Sequence, residues 1–303
     1  MTTVKQATSG IDFSDRHTYV GASEVAAAVG LHPYMTPLDL YLEKVGDKER
    51  PDLSNNERVH FGNVLEDVVC DEFARRTGID VRRDRRDFQH AELPFFRGHI
   101  DRKVTGEKAG MEAKTADKFM GKQFGAEETD NIPMYYLTQC LGYLSLTGWD
   151  RWHLGVLIGG NEFRSYTIES SAKANKILEE KLALFWQRVE HRNPPEPITS
   201  GDVDKLYPSA CIASIDIANQ VEELREVRAT MKGLMSQKEE LEIDIKKFMK
   251  TTDVLLDPEH GKPMITWAGS AIKNLNKTAV EKELGDRLSE FQKTTTTRRF
   301  VVK

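Results

Sequence analysis

Asp101, Glu112 and Lys114 are the residues of this chain whose types and spacing could do chemistry together. They lie in GHIDRKVTGEKAGMEAKT, residues 98–115. If the flanking runs pair antiparallel, a two-residue turn at Gly106-Glu107, with glycine first as a type II′ turn prefers, sets Asp101 opposite Glu112. Opposed Cβ atoms in such a pair lie about 5 Å apart. A four-residue loop would set Asp101 opposite Lys114 instead. Side chains alternate along a strand, so Glu112 and Lys114 share one face and Ala113 takes the other. Either even loop therefore gathers the three charged groups, and an odd loop scatters them. Two facing carboxylates repel unless a cation lies between them. Mg²⁺ suits that place, being a hard ion that takes oxygen ligands and keeps several waters, and Mn²⁺ is a possible substitute. A lysine alongside can hold an attacking water or offset charge in phosphodiester hydrolysis. The same charges would also suit a solvated hairpin with cross-strand ion pairs.

Further groups lie on the helices around this hairpin. In NNERVHFGNVLEDVVCDEFARRTG the spacing puts Gly62, Glu66, Val69, Cys70 and Phe73 on one face, which makes Glu66 an acid in a mostly apolar stripe. Gly62, one turn earlier, reads as a point of close backbone approach. Gln139 and Tyr143 stand at i and i+4 in MYYLTQCLGYLSLTG, a helix announced by Asn131 and Pro133. Ser23 opens a short alanine-rich helix whose amides and dipole favour an anion, with Arg16 seven residues earlier. A helix cap and a surface arginine would account for that pair as well. RRTGIDVRRDRRDF carries six arginines in residues 75–86, interleaved with Asp80 and Asp84 and followed by Asp87. That is either a solvated strand or a phosphate-contacting one.

The elements that must position these groups follow a legible order. Helices at GASEVAAAVGLHPY and TPLDLYLEKVG precede the long one that Gly78 stops. Three strand-like runs (IDVRRDRRDFQ, FFRGHIDRKV, MEAKT), the Gln139 helix, a hairpin RWHLGVLI/EFRSYTIE turning at Gly159-Gly160-Asn161, and a closing helix SAKANKILEEKLALFWQRVEH follow. The fold class is α/β with a mixed central sheet flanked by helices. VEHRNPPEPITSGD, with its three prolines, marks a boundary between a domain at residues 1–195 and an appendage at 200–303. The appendage reads as amphipathic helices over 213–250, then a hairpin, a helix and a strand over 252–303. Its apolar stripe slips in heptad register and Gly233 interrupts it, which argues against a long coiled coil.

At 303 residues with 39% hydrophobic and 30% charged content, the chain is long enough to bury a sizeable core. No run approaches the ~18 apolar residues of a membrane span, and the first ten residues lack an apolar signal core. Three cysteines with no CxxC pair point to a reducing, cytoplasmic compartment and exclude a four-cysteine iron–sulfur cluster within one chain. The net charge of −5 lies wholly in the first 200 residues and does not advertise a nucleic-acid partner, although a local basic channel can focus the field. No phosphate loop, zinc motif or HExxH is present.

Together GASEVAAAVGLHPYMTPLDLYLEK, FGNVLEDVVCDEF, GHIDRKV, MEAKT and YLTQCLGYLSLTG, in this order over residues 16–148, resemble the PD-(D/E)xK nuclease superfamily, and within it the lambda-exonuclease branch, the YqaJ-like viral recombinase family. The resemblance implies that Asp101, Glu112 and the carbonyl of Ala113 hold Mg²⁺, that Lys114 is the catalytic lysine, and that Glu66 lies near the metal. Gln139 and Tyr143 match a Gln-x-x-x-Tyr motif that supports the site, and Arg16 and Ser23 match a pocket for a DNA 5′-phosphate. It also implies a 5′→3′ exonuclease on double-stranded DNA ends, a homotrimeric ring, a single-strand annealing protein as partner, and a phage or prophage origin. Ile100 replaces the proline that names the motif, and His99 stands where relatives can carry a small hydroxyl residue. Two other readings remain open: an endonuclease with the same metal site, and an inactive nuclease fold carrying the appendage as an interaction module.

Overall fold

The computed structural model describes residues 15–53, 55–127, 129, 131–207, 217–269, 277–285 and 287. The chain divides into two compact units, Met1–Pro208 and Ser209–Lys303.

In the first unit, a 3₁₀ turn (Ala22–Glu24) leads into α1 (Val25–Ala28), followed by α2 (Pro37–Val45) and α3 (Glu57–Thr77). A five-stranded mixed sheet runs in the order β2 (Val81–Arg83), β5 (Arg102–Val104), β6 (Ala109–Ala116), β7 (Arg151–Ile158), β8 (Glu162–Glu169). Only β6 and β7 are parallel, and the helix joining them is α4 (Met134–Thr147). A second sheet pairs β1 (Val20–Gly21) parallel to β4 (Phe96–Gly98), with β3 (Phe88–Gln89) antiparallel on its other side. α5 (Ala172–Glu190) and α6 (Ser200–Leu206) complete the unit. The expected mixed α/β class is therefore observed.

The caps are legible residue by residue. Asn56 accepts from the amides of Arg58 and Val59 to open α3, and Gly78 ends it at φ 73°. Ser171 caps α5 in the same way. α3 lays Val69, Cys70 and Phe73 against Met111 and Phe163 on one face of the sheet. On the other face Cys140 and Leu144 of α4 and Leu178, Leu182 and Phe185 of α5 pack with Trp152, Leu154, Val156 and Tyr166. Beyond the prolines, α6 holds to α2: Thr36 Oγ1 lies 2.8 Å from Asp202 Oδ1, and Lys205 Nζ lies 2.9 Å from Asp39.

Two of the three expected long strands are broken. IDVRRDRRDFQ divides into β2 and β3, and FFRGHIDRKV divides into β4 and β5, so that each run serves both sheets. The break at residues 99–101 buries Ile100 and ends the β5–β6 ladder at Arg102↔Met111. Beyond that pair, the edge of β6 from Glu112 onward has no strand beside it on the β5 side. The register itself (Arg102↔Met111, Lys103↔Gly110) is the one that a Gly106-Glu107 turn demands, with Gly106 at φ 82°.

In the second unit α7 (Ala218–Met249) is a single helix that runs straight through Gly233. β9 (Val254–Leu256) and β10 (Pro263–Thr266) form the expected hairpin, and α8 (Lys277–Leu284) begins the expected following helix. The last expected strand, RRFVVK, lies outside the described residues.

Gly110 faces the Trp152 ring, and a Cβ there would stand 2.3 Å from it. Such overpacking of a filled core costs about 1–3 kcal/mol. Gly110→Ala should therefore lower the denaturant midpoint without changing the slope, and an unchanged midpoint would show that the ring is free to move away.

Candidate active site

The broken strand gives Asp101 its position. It sits on the bend, and its Oδ2 accepts the amide of Ala113, 2.9 Å away, where the missing strand partner would otherwise bond. Within a strand, the N–H and C=O of one residue point to the same side, so the Ala113 carbonyl also faces this edge. Glu112 and Lys114 point to the α4 side of the sheet. Glu112 is buried (3% exposed), and its Oε1 accepts from Gln139 Nε2 at 2.6 Å and from Lys114 Nζ at 2.5 Å. Gln139 Nε2 also lies 3.2 Å from the Tyr143 hydroxyl, and the Tyr143 ring stacks on Trp152 with centroids 4.6 Å apart. Five of the residues singled out in the sequence thus form one connected group.

Its electrostatics are those of a site short of positive charge. Burial, then the nearby Glu112 carboxylate, push Asp101 up to about 7, outweighing Lys114 and the Ala113 amide. Burial works against the Lys114 ammonium, but Glu112 and Asp101 outweigh it and hold its pKa above the ordinary lysine value. Glu112 Oε2 is buried with no hydrogen-bond partner. A polar atom in that condition costs roughly 1–3 kcal/mol unless a donor or cation reaches it. Asp101, Glu112, Ala113 and Lys114 line a pocket with Val59, Gly62, Asn63 and Glu66 of α3. Two carboxylates and a strand-edge carbonyl make an all-oxygen donor set, which fits a hard divalent cation. Among the described residues no group of three or more His, Cys, Asp and Glu forms a ready cage.

Glu66 lines this pocket, but its carboxylate is held 2.5 Å from Arg102 Nη1. Arg102 also binds Asp67 and the Asp101 carbonyl, and is itself buried. The sequence reading missed it, although an arginine directly after the candidate metal ligand was the available signal. Tyr136, whose ring lies 5.7 Å below the Lys114 ammonium, was also missed. Gly62 does not admit a second backbone: nothing stands within 4 Å of a Cβ built there. Its missing side chain leaves the pocket wall open instead.

Arg16 and Ser23 come together at a second pocket. Arg16 Nη2 is 3.2 Å from Ser23 Oγ, and both line a cavity with Arg50, Gly98, His99 and Tyr143. Ser23 lies on the 3₁₀ turn ahead of a four-residue helix, so no long helix dipole stands behind it. The local charge comes from side chains instead. Arg16, Lys44 and Arg50 surround the single carboxylate of Glu24 at 3.1, 2.7 and 3.7 Å. Despite desolvation, Lys44 and Arg16 keep Glu24 below the usual carboxylate range. Gly21 lets the Arg16 guanidinium lie flat on the chain, since a Cβ there would stand 2.0 Å from it. Tyr143 lines this second pocket, and its hydroxyl meets Gln139, which bonds Glu112 at the first.

The arginine run is largely neutralised. Arg75 and Arg76 bind Glu72, Arg82 binds Asp80, Arg83 binds Asp67, and Arg86 binds Asp84. Arg298 and Arg299, which follow TTTT and suggest a weaker phosphate contact of the same kind, lie outside the described residues.

Residues 13–150 match the YqaJ-like viral recombinase domain. Over 304 residues, 95% of this chain and 92% of the relative, the chain is 28% identical to the uncharacterized protein YqaJ of Bacillus subtilis (strain 168). Among solved structures, the chain is similar to an alkaline exonuclease (LHK-Exo) from Laribacter hongkongensis, at 15% identity and TM-score 0.45 over 60% of this chain and 92% of that one. It is also similar to a phage related exonuclease from Haemophilus somnus 129PT, at 13% identity and TM-score 0.47 over 58% and 95%. A putative exonuclease from Eubacterium rectale matches at 12% identity and TM-score 0.48 over 71% and 98%.

A raised carboxyl pKa means that the folded state holds a proton that the unfolded chain has released. Without added metal, stability should fall as pH rises from about 4 to about 7 and then level off. Asp101→Asn keeps an acceptor for the Ala113 amide and removes the charge. It should stabilise the metal-free protein by roughly 1–3 kcal/mol at pH 8 and by little at pH 4. Melting curves of both proteins in chelator at the two pH values test this, and equal gains at both would sink the assignment.

Proposed function

We propose that the first unit is a metal-dependent 5′→3′ exodeoxyribonuclease that acts on the ends of linear double-stranded DNA and leaves 3′ single strands. The observation that carries this reading is the buried Glu112, bonded to Gln139 and Lys114 through one oxygen, with its other oxygen unsatisfied beside Asp101. Asp101, Glu112 and the Ala113 carbonyl would hold Mg²⁺ or Mn²⁺, which when bound lowers the pKa of water and offsets charge on the scissile phosphate.

The protein's own groups divide the remaining work. Lys114 stays an ammonium throughout the working pH range, because its pKa is raised. It is therefore a hydrogen-bond donor that orients the attacking water and stabilises charge on the phosphate, and it is not the base. Gln139 fixes the Glu112 rotamer, and Tyr143 fixes Gln139. Glu66 supports the site at its α3 wall, with Arg102 neutralising it. Arg16, aided by Arg50 and Ser23, receives the terminal 5′-phosphate. Three cations around one carboxylate leave that pocket net positive within an acidic chain, which favours an anion there. Because Tyr143 lines the Arg16 pocket and meets Gln139, which holds Glu112, an end seated at Arg16 lies near the hydrolytic group, and end dependence follows from that placement. The same reading carries a homotrimeric ring around the duplex and an annealing protein that takes up the 3′ strand.

Linear duplex labelled separately at its 5′ and 3′ ends, with Mg²⁺ and with a covalently closed circle as control, tests the proposal. Rapid loss of 5′ label with a surviving 3′-ended strand and an intact circle is the expected result, whereas a cut circle would indicate an endonuclease. Lys114→Ala should reduce the rate by about 10²–10³-fold or more without unfolding the protein. Arg16→Ala should lower the preference for 5′-phosphate over 5′-hydroxyl ends by about 10–100-fold, as expected for a lost charged contact worth about 1.5–3 kcal/mol. An unchanged ratio would refute the phosphate pocket.

A further inference from the structure

We propose that an aromatic cluster, His32, Tyr34, Phe119 and Tyr135, is a stacking surface for unpaired nucleotides of the strand being cut, on the 3′ side of the scissile bond. This deepens the nuclease reading and rests on it. The basis is the order of groups along α4. Tyr143 stands at the Arg16 pocket, and Gln139, one turn nearer the helix start, holds Glu112. Tyr136, at the next turn, lies against Lys114. Each turn advances about 5.4 Å. The aromatic cluster begins at that last turn, so the hydrolytic group lies between it and the pocket that receives the 5′ end. A strand with its first phosphate at Arg16 and its next at Asp101 and Glu112 therefore continues onto the rings.

The rings lead from the site to the surface. The Lys114 ammonium lies 5.7 Å from the Tyr136 centroid, and the Tyr136 and Tyr135 centroids are 4.1 Å apart. His32 meets Tyr135 edge-on at 5.7 Å and Tyr34 at 6.0 Å, and Tyr34 is 78% exposed. Burial, then the Tyr136 hydroxyl, raise the Tyr135 hydroxyl above the ordinary phenol value, and the nearby Tyr34 and Asp117 add to this. Asp117 also accepts the amides of Phe119 and Met120, each at 2.9 Å. It thereby fixes a turn on which the Phe119 ring is 81% exposed. A group of large rings left so open marks a binding surface.

Charge around the rings favours a nucleic-acid strand as the occupant. Lys118 and Lys122 are exposed on the same turn, and the Lys122 ammonium lies 5.8 Å from the Phe119 centroid. Arg58 of α3 reaches Asp117 at 3.9 Å. Cations that follow a backbone, beside rings that take bases, are what a single strand requires, and every base has a flat face to offer. Inside a duplex those faces are covered by neighbouring bases. Only nucleotides freed from their pairs at an end can use the cluster, and they are the ones that the hydrolytic group meets.

The test uses the full chain in chelator, so that no cleavage intervenes. Wild type should bind a short single strand of oligodeoxythymidine about tenfold or more tighter than an abasic strand of equal length. Tyr34→Ala with Phe119→Ala should weaken the thymidine strand about 10–100-fold and change the abasic strand little. Both side chains are exposed, so the melting temperature should hold. Tyr34→Trp should keep full affinity, whereas Tyr34→Leu, apolar but without a flat face, should not. A fluorescent adenine analogue dimmed by stacking is then placed near either end of a 5′-phosphorylated strand. Wild type should quench it near the 5′ end, and the double alanine variant should not. Equal binding of thymidine and abasic strands, or quenching near the 3′ end alone, overturns the proposal. Unchanged affinity in the double variant also overturns it and leaves the cluster to a protein partner. A chain that binds and quenches as expected but cuts no DNA would refute the nuclease reading alone. A chain that degrades DNA ends with the double variant unaffected would keep the nuclease and remove only the stacking surface.

Discussion

The candidate site depends on the proximity of two carboxylates, Asp101 and Glu112, in one pocket. Left alone, such a pair would take up a proton or spread apart. The surrounding structure prevents the second, and Asp101 still takes up a proton below about pH 7. Glu112 is fixed by Gln139 and Lys114, and Asp101 is fixed by the Ala113 amide. The tension remains visible in the raised Asp101 pKa and in an unsatisfied Glu112 oxygen. A site that stores electrostatic cost in this way is poised for a cation, because only added positive charge relieves both groups at once.

The broken strand shows how the fold makes room for that pair. Had FFRGHIDRKV run on as one strand, the β6 edge beyond Met111 would be covered by backbone and the Ala113 amide would be spent on the ladder. Starting β5 only at Arg102 frees the edge, the chain having come from the second sheet, where it runs as β4. That same crossing brings Gly98 and His99 to the Arg16 pocket. One bend therefore serves both pockets, with Tyr143 at the second joined through Gln139 to Glu112 at the first.

Much of this was legible in the sequence because it rests on local rules. The Gly106 turn fixes the hairpin register, strand alternation puts Glu112 and Lys114 on one face, and i, i+4 spacing joins Gln139 to Tyr143. What escaped rests on contacts between distant segments. The Arg102–Glu66 pair spans 36 residues, and no periodicity announces it. Gly62 was misread because a glycine beside an open pocket and one beside a packed backbone look alike in a sequence. Gly233 left the continuity of α7 open in the sequence, because a glycine costs only about 1 kcal/mol in a helix, which a 32-residue helix tolerates.

The distribution of charge then bears on how an acidic chain would hold DNA. The conspicuous arginine run at residues 75–86 is mostly committed to its own acids, so binding phosphate there would require breaking ion pairs for little net gain. Arg16, Lys44 and Arg50 are arranged differently, three cations sharing one carboxylate, and the excess positive charge needs no rearrangement to meet an anion. The most basic stretch of sequence is thus less suited to a phosphate than a small cluster assembled from α2, the loop after it and the 3₁₀ turn Arg16–Thr18. Affinity concentrated at one such point favours a chain end, which carries a terminal phosphate, over the uniform backbone of a continuous duplex.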